Sequence, residues 1–90
     1  MRLPHVDLTN ANFFMAQLAG ADFRHARLAY ATLIYANLSY ANLSYANLRN
    51  ADLDGADLNG ADLTGVYWYN TICPDGTNSD DNGDTCENNL

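Results

Sequence analysis

Lysine is absent from the 90 residues, arginine occurs four times, and 11 Asp and Glu leave a formal net charge of −7. Nucleic-acid backbones and anionic membranes attract basic surfaces, so neither is expected as a direct partner. Long apolar runs are also missing. The unbroken ones stop at three or four residues, far short of the roughly 20 that a membrane-spanning helix needs. The N-terminal MRLPHVDLTN lacks the apolar stretch of a signal peptide, so none is expected. There is no Ser/His/Asp or Cys/His arrangement, no Gly-rich phosphate loop and no pair of carboxylates set for acid-base work. An enzyme is therefore not expected, and neither is a cofactor.

What is present is a repeat of five residues from Val6 to Asn70. Its centres are Leu8, Phe13, Leu18, Phe23, Leu28, Leu33, Leu38, Leu43, Leu48, Leu53, Leu58, Leu63 and Trp68. Two residues before the centre, Ala recurs in 11 of these 13 units, and the residue between is Asn or Asp in nine. A helix would advance each centre by about 140°, scattering the leucines over every face. On a straight strand an odd period sends successive leucines to opposite faces. A short extended segment followed by a corner satisfies the pattern. Four of these close a square coil of 20 residues that climbs about 4.8 Å per turn, giving 3.25 coils and roughly 16 Å of height. Leu and Phe then fill the centre, Ala fits against the inner wall, and Asn or Asp serves the corners. The slot two after the centre holds Gly or Asn in seven units but also Tyr30, Tyr35, Tyr40 and Tyr45. Four tyrosines there predict that the slot does not require positive φ everywhere.

Units such as ANLSY at 36–40 and 41–45, and ADLDG, ADLNG and ADLTG at 51–65, resemble the pentapeptide repeat family, A(D/N)LXX. The resemblance implies an all-β fold, a right-handed quadrilateral β-helix of about three coils, over residues 1–70. The segment CPDGTNSDDNGDTCENNL resembles the C-terminal tail of family members from photosynthetic bacteria and plastids, most of which have no assigned activity. Residues 71–90 are accordingly expected to form a polar capping tail.

Residues 20 apart share a face in a square coil. Phe14, Met15, Ile34 and Tyr35 then adjoin one another at outward slots, as a partner or self-association patch or as an unused sticky surface. The four tyrosines form a girdle, one per side, that shields backbone and contacts neighbouring coils; a stacking platform for single-stranded nucleic acid would also need a basic groove. His5 and His25 should lie one above the other beside Tyr45, but two imidazoles with no third ligand make a poor metal site. Asp52, Asp57 and Asp62 fall on consecutive sides and point apart, as solvated repeat positions do.

In the tail, Cys73 and Cys86 are expected to form a disulfide that holds it over the last coil, with free thiols as the alternative. Val66, Tyr67, Trp68 and Tyr69 are expected to plug the coil end beneath it. Asn78, Asp80, Asn82, Gly83 and Asp84 follow the alternate spacing of a calcium loop, although Asn89 stands where the bidentate acid belongs. A weak calcium site and plain turn chemistry both fit.

These readings favour a non-enzymatic structural or protein-interaction module, with an unknown protein or a second copy as partner. The family resemblance also implies an alternative, a DNA-mimic inhibitor of an enzyme such as gyrase. The height is short for it, under half a DNA turn of roughly 34 Å. The acids also gather at one end: residues 1–49 carry four Arg and two Asp, a net of +2, and residues 50–90 carry nine acids and no base, a net of −9. A disulfide favours the periplasm or a thylakoid lumen after removal of a targeting segment, and otherwise the cytoplasm is expected.

Overall fold

The computed structural model describes all 90 residues. Eleven parallel bridges join residues 20 apart, from Arg2 with Asp22 to Asp52 with Ile72, so one coil takes four units of five. Each side contributes a single bridge and then turns.

The unit 41–45 shows why this sequence holds the shape. Leu43 N–H donates to Asp62 O (2.9 Å), Tyr45 N–H to Thr64 O (2.8 Å) and Asn42 N–H to Ala21 O (2.9 Å), joining the coils on either side. Ala41 N–H closes the preceding corner onto Leu38 O (3.0 Å). The fifth donor, Ser44 N–H, reaches no carbonyl and donates to Asn42 Oδ1 (3.0 Å). All five backbone donors are thus satisfied, as burial in a solenoid demands. The same side-chain bond forms at all nine units that carry Asn or Asp before the centre. That accounts for the residue type in the slot.

The inward side chains form one column. Phe23, Leu28, Leu33, Leu38, Leu43, Leu48 and Leu53 are fully buried, with Ala21 to Ala56 between them. Leu3, Leu8 and Phe13 at one end and Val66 and Trp68 at the other are partly buried against this core.

Three expectations need correction. The slot two after the centre does have positive φ at the tyrosines: 62° at Tyr30, 57° at Tyr35, 60° at Tyr40 and 60° at Tyr45, close to the 58° of Asn50 and 70° of Gly20. The left-handed region costs a non-glycine residue about 1–2 kcal/mol. Ladder bonds from the slot's own N–H, and the corner bond that follows it, hold the backbone there whatever side chain it carries.

The coil is also longer than the Leu and Ala pattern. Met1–His5 already form a unit, with Leu3 N–H donating to Asp22 O (2.7 Å) and Asp22 N–H to Met1 O (2.8 Å). Thr71–Asp75 form another, through Ile72 N–H to Ala51 O (3.0 Å) and Leu53 N–H to Ile72 O (2.9 Å). Cys73 takes the leucine slot and Thr71 the alanine slot, both fully buried. The hydroxyl of Thr71 is satisfied by donating to Leu48 O (2.8 Å). The change from coil to tail therefore falls after Asp75 rather than at Asn70.

The expected plug splits into alternate residues. Val66 and Trp68 face the core, whereas Tyr67 and Tyr69 are each 54% exposed. Extended backbone sends neighbours to opposite sides, so the four could not all point inward.

Candidate functional site

The outward slots carry what chemistry the molecule presents. Phe14, Met15 and Tyr35 are exposed and Ile34 is half-buried, on two successive levels of one side. The ladder sets them together: Met15 N–H donates to Ile34 O (2.9 Å), and the Phe14 and Tyr35 rings meet edge to face with centroids 6.4 Å apart. The sequence-predicted patch is thus contiguous, and its apolar atoms face solvent.

The tyrosines stand at the four corners of one level. Those at Tyr35, Tyr40 and Tyr45 lie over Gly55, Gly60 and Gly65 of the next level, where an added Cβ would collide with each ring. Arg49 covers the Tyr30 ring at 5.4 Å. Below Tyr45, His25 stacks at 5.2 Å and His5 follows at 4.8 Å, with ring planes 10° and 4° from parallel. Face-to-face stacking aims the imidazole nitrogens along the ring planes rather than at one another.

Asp22 holds the ion pair of the molecule, through Arg24 Nη2 to Oδ2 at 2.8 Å and Arg24 Nε to Oδ1 at 2.9 Å. The Arg24 side chain first, and its backbone N–H second, bring the Asp22 carboxyl down to about 2. The Asp7 carboxyl is lowered by the hydroxyl and N–H of Thr9, Asp62 by the N–H and hydroxyl of Thr64, and Asp75 by the Thr77 hydroxyl and the Asn89 amide. Each is a turn carboxylate whose charged form accepts hydrogen bonds.

The tail is tied down by its own polar side chains. Cys73 and Cys86 are joined with Cα atoms 5.2 Å apart, and both are fully buried. Ser79–Asp81 form a single 3-10 turn capped by Asn78, whose Oδ1 accepts from Asp80 N–H (2.9 Å). Asn78 Nδ2 also donates to Asn70 Oδ1, and Asp80 Oδ1 accepts from Asn70 N–H (2.8 Å). Asn82 Nδ2 donates to Thr77 Oγ1 (2.7 Å) and Asn78 O (3.0 Å). Three of the four weak calcium candidates therefore tie the tail to itself and to the coil, and Asp84 lies on a corner at φ 64°. No three His, Cys, Asp or Glu side chains gather to hold a metal ion. Sequence reasoning overlooked Asn70, whose amide links Asn50 (2.7 Å) to Asn78 (2.7 Å). Its 20-residue spacing from Asn50 was the available signal.

The five-residue period and 20-residue register agree with a sequence comparison. The family profile described as pentapeptide repeats matches in eight copies over residues 2–28 and 31–67. The chain is a pentapeptide repeat protein. Pentapeptide repeat proteins fold as right-handed quadrilateral β-helices, and they are in general non-enzymatic scaffolds. Among solved structures, the chain is similar to a pentapeptide repeat protein (Rfr23) from the cyanobacterium Cyanothece 51142, with 32% identity over 72% of this chain and a TM-score of 0.54. It is similar also to alr5209, a pentapeptide repeat protein from Nostoc Pcc 7120, with 31% identity over 78% of this chain and a TM-score of 0.53. The chain spans 41% and 64% of their respective lengths. No curated protein matches it.

The body of this pentapeptide repeat protein contains no cavity. Leu and Ala fill its centre, and its distinctive side chains stand on convex corners.

Proposed function

We propose that the chain is a rigid, non-enzymatic interaction module of about four coils that presents a convex apolar corner to another protein or to a second copy. The observation that carries this reading is the contiguity of Phe14, Met15, Ile34 and Tyr35. Phe14 is 53%, Met15 60% and Tyr35 61% exposed. Elsewhere the slot after the centre carries mostly Ser, Asn, Arg, Asp or Thr, and isolated apolar side chains would need no explanation, but a contiguous group marks association surfaces. The absence of a concave site supports binding over catalysis, because substrates and cofactors are generally held in clefts.

The test is light scattering of the wild type against a Phe14→Ser/Ile34→Ser variant, followed by affinity capture with both. Loss of self-association, or of the same captured protein, in the variant alone supports the reading. Identical behaviour of the two removes the corner as an interaction surface.

A further inference from the structure

We infer that the side of the coil built from residues 26–30, 46–50 and 66–70 is a docking surface for an acidic face of another protein. It stands apart from the apolar corner and does not rest on it. The ladder stacks these units by pairing Arg27 with Asn47 and Asn47 with Tyr67. Arg27 and Arg49 stand on the side itself, Tyr67 and Tyr69 on its last level, Tyr30 at one corner and Tyr45 at the other. These four tyrosines are 50–57% exposed, and both arginines are exposed. Tyr67 and Tyr69 keep that exposure with the tail in place, whose Asp80 is held by Asn70 N–H at the edge of the side (2.8 Å).

Folding does not account for these residue types. The slot before the centre carries Asn or Asp in nine of the 13 units, where the side chain accepts from the N–H two residues on. Arg27 and Tyr67 occupy that slot and cannot accept in this way. At Tyr67 the donor is satisfied from elsewhere, since Tyr69 N–H donates to the hydroxyl of Thr71 (3.2 Å). Two of the rings are also held before any partner arrives. Arg49 covers the Tyr30 ring at 5.4 Å, and His25 stacks on Tyr45 at 5.2 Å. Side chains already ordered lose less freedom on binding. Tyr and Arg are the types enriched where protein interfaces concentrate their energy.

Charge selects the occupant. All four arginines and both histidines lie on this side, on the side before it (Arg2 and Arg24), or at the corner between the two (His5 and His25). The other two sides of the coil carry Asp52, Asp54, Asp57 and Asp75 and no base. On the docking side Asp7 is the one acid, and the N–H and hydroxyl of Thr9 both donate to its Oδ1. A second copy fits poorly here. Paired by the same side about a two-fold axis, parallel coils would set each arginine against its own copy, and antiparallel coils would set Arg27 against Arg49. An acidic face instead offers each guanidinium a carboxylate that accepts two parallel N–H bonds, and offers the phenols further acceptors. At about 0.15 M salt the Debye length is about 8 Å, so acids facing away on other sides of a body 22 × 19 Å across act weakly on the partner. One side of a box-shaped body is about a sixth of its surface of 4681 Å², or about 800 Å², which is the share one partner gives to a specific interface.

The test titrates a fluorescein-labelled peptide of alternating Glu and Leu with the full chain in the same salt, followed by anisotropy and by amide chemical shifts. The expected result is binding with shifts clustered at residues 26–30, 46–50 and 66–70. Affinity should fall at least tenfold in Arg27→Gln/Arg49→Gln and in Tyr67→Ser/Tyr69→Ser, with folding checked by circular dichroism. Arg27→Gln alone, a change at an exposed side chain, should weaken binding about threefold and keeps the test open should a double variant not fold. Phe14→Ser/Ile34→Ser should bind as the wild type does. Absence of binding, shifts on other sides, unchanged affinity in the arginine and tyrosine variants, or equal affinity for the peptide with Lys in place of Glu overturns the proposal. Tighter binding of oligo(dT) to the same residues overturns it by assigning the side to single-stranded nucleic acid. A dimer in sedimentation that Arg27→Gln/Arg49→Gln abolishes overturns it by assigning the side to a second copy.

Discussion

Replacing Gly55 with Ala separates two costs that share one corner. Gly55 has φ +71°, so Ala there must enter the left-handed region, at about 1 kcal/mol. Its new Cβ would also collide with the Cδ1–Cε1 edge of the Tyr35 ring. That ring is 61% exposed and can swing into solvent, losing a cross-coil contact of about 0.2–1 kcal/mol. Gly20 supplies the control: its φ is +70°, and nothing stands within 4 Å of the added atom. Gly20→Ala should therefore cost about 1 kcal/mol and Gly55→Ala about 1.2–2 kcal/mol. For a domain of this size each kcal/mol lowers Tm by roughly 4–8 °C, well resolved by circular dichroism melting. In a Tyr35→Ala background the excess cost of Gly55→Ala over Gly20→Ala should vanish. Equal costs for the two glycines in the wild-type background would refute the claim that the tyrosine rings roof the corners.

Substituting Cys73 and Cys86 with Ser should lower stability by about 3 kcal/mol, the loop-closure value for a segment of this length, read by denaturant titration with and without reductant. Asn42→Ala removes the acceptor for the half-buried Ser44 N–H and should cost about 1–2 kcal/mol, whereas Asn42→Asp should cost much less. The Asp22 carboxyl titrates near 2 in the folded protein, below its ordinary value of 3.8, so its contribution is present above about pH 4 and is lost as pH falls toward 2. Arg24→Ala should raise that midpoint toward 3.8, followed by the Asp22 carboxyl resonance in an NMR titration; an unchanged midpoint would mean that the ion pair does not form in solution.

The square coil was legible because its rules are local and repeated. A period of five that suits neither helix nor strand leaves few shapes, and the Ala and Leu slots identify the interior. Two features escaped for physical reasons. Tyrosine at a corner argues against positive φ when one residue is weighed alone, but here the ladder fixes the backbone and the glycine on the next level gives Tyr35, Tyr40 and Tyr45 a place to lie. The end units escaped because Met1, Thr71 and Cys73 depart from the Ala and Leu pattern while their backbones keep the register. The apolar corner was readable from spacing because 20 residues return the chain to the same side.

The register of 20 also constrains how such a chain can change length. Losing one or two residues breaks a corner and moves core side chains outward. Losing five preserves every corner and every core slot, but it turns the remainder of the molecule by a quarter circle, separating Phe14 from Tyr35 and His5 from His25. Only multiples of 20 lengthen or shorten the rod while keeping each vertical column intact. Surface chemistry is thus written in a unit four times longer than the unit that specifies folding, and two chains with equally good repeats can present unrelated faces.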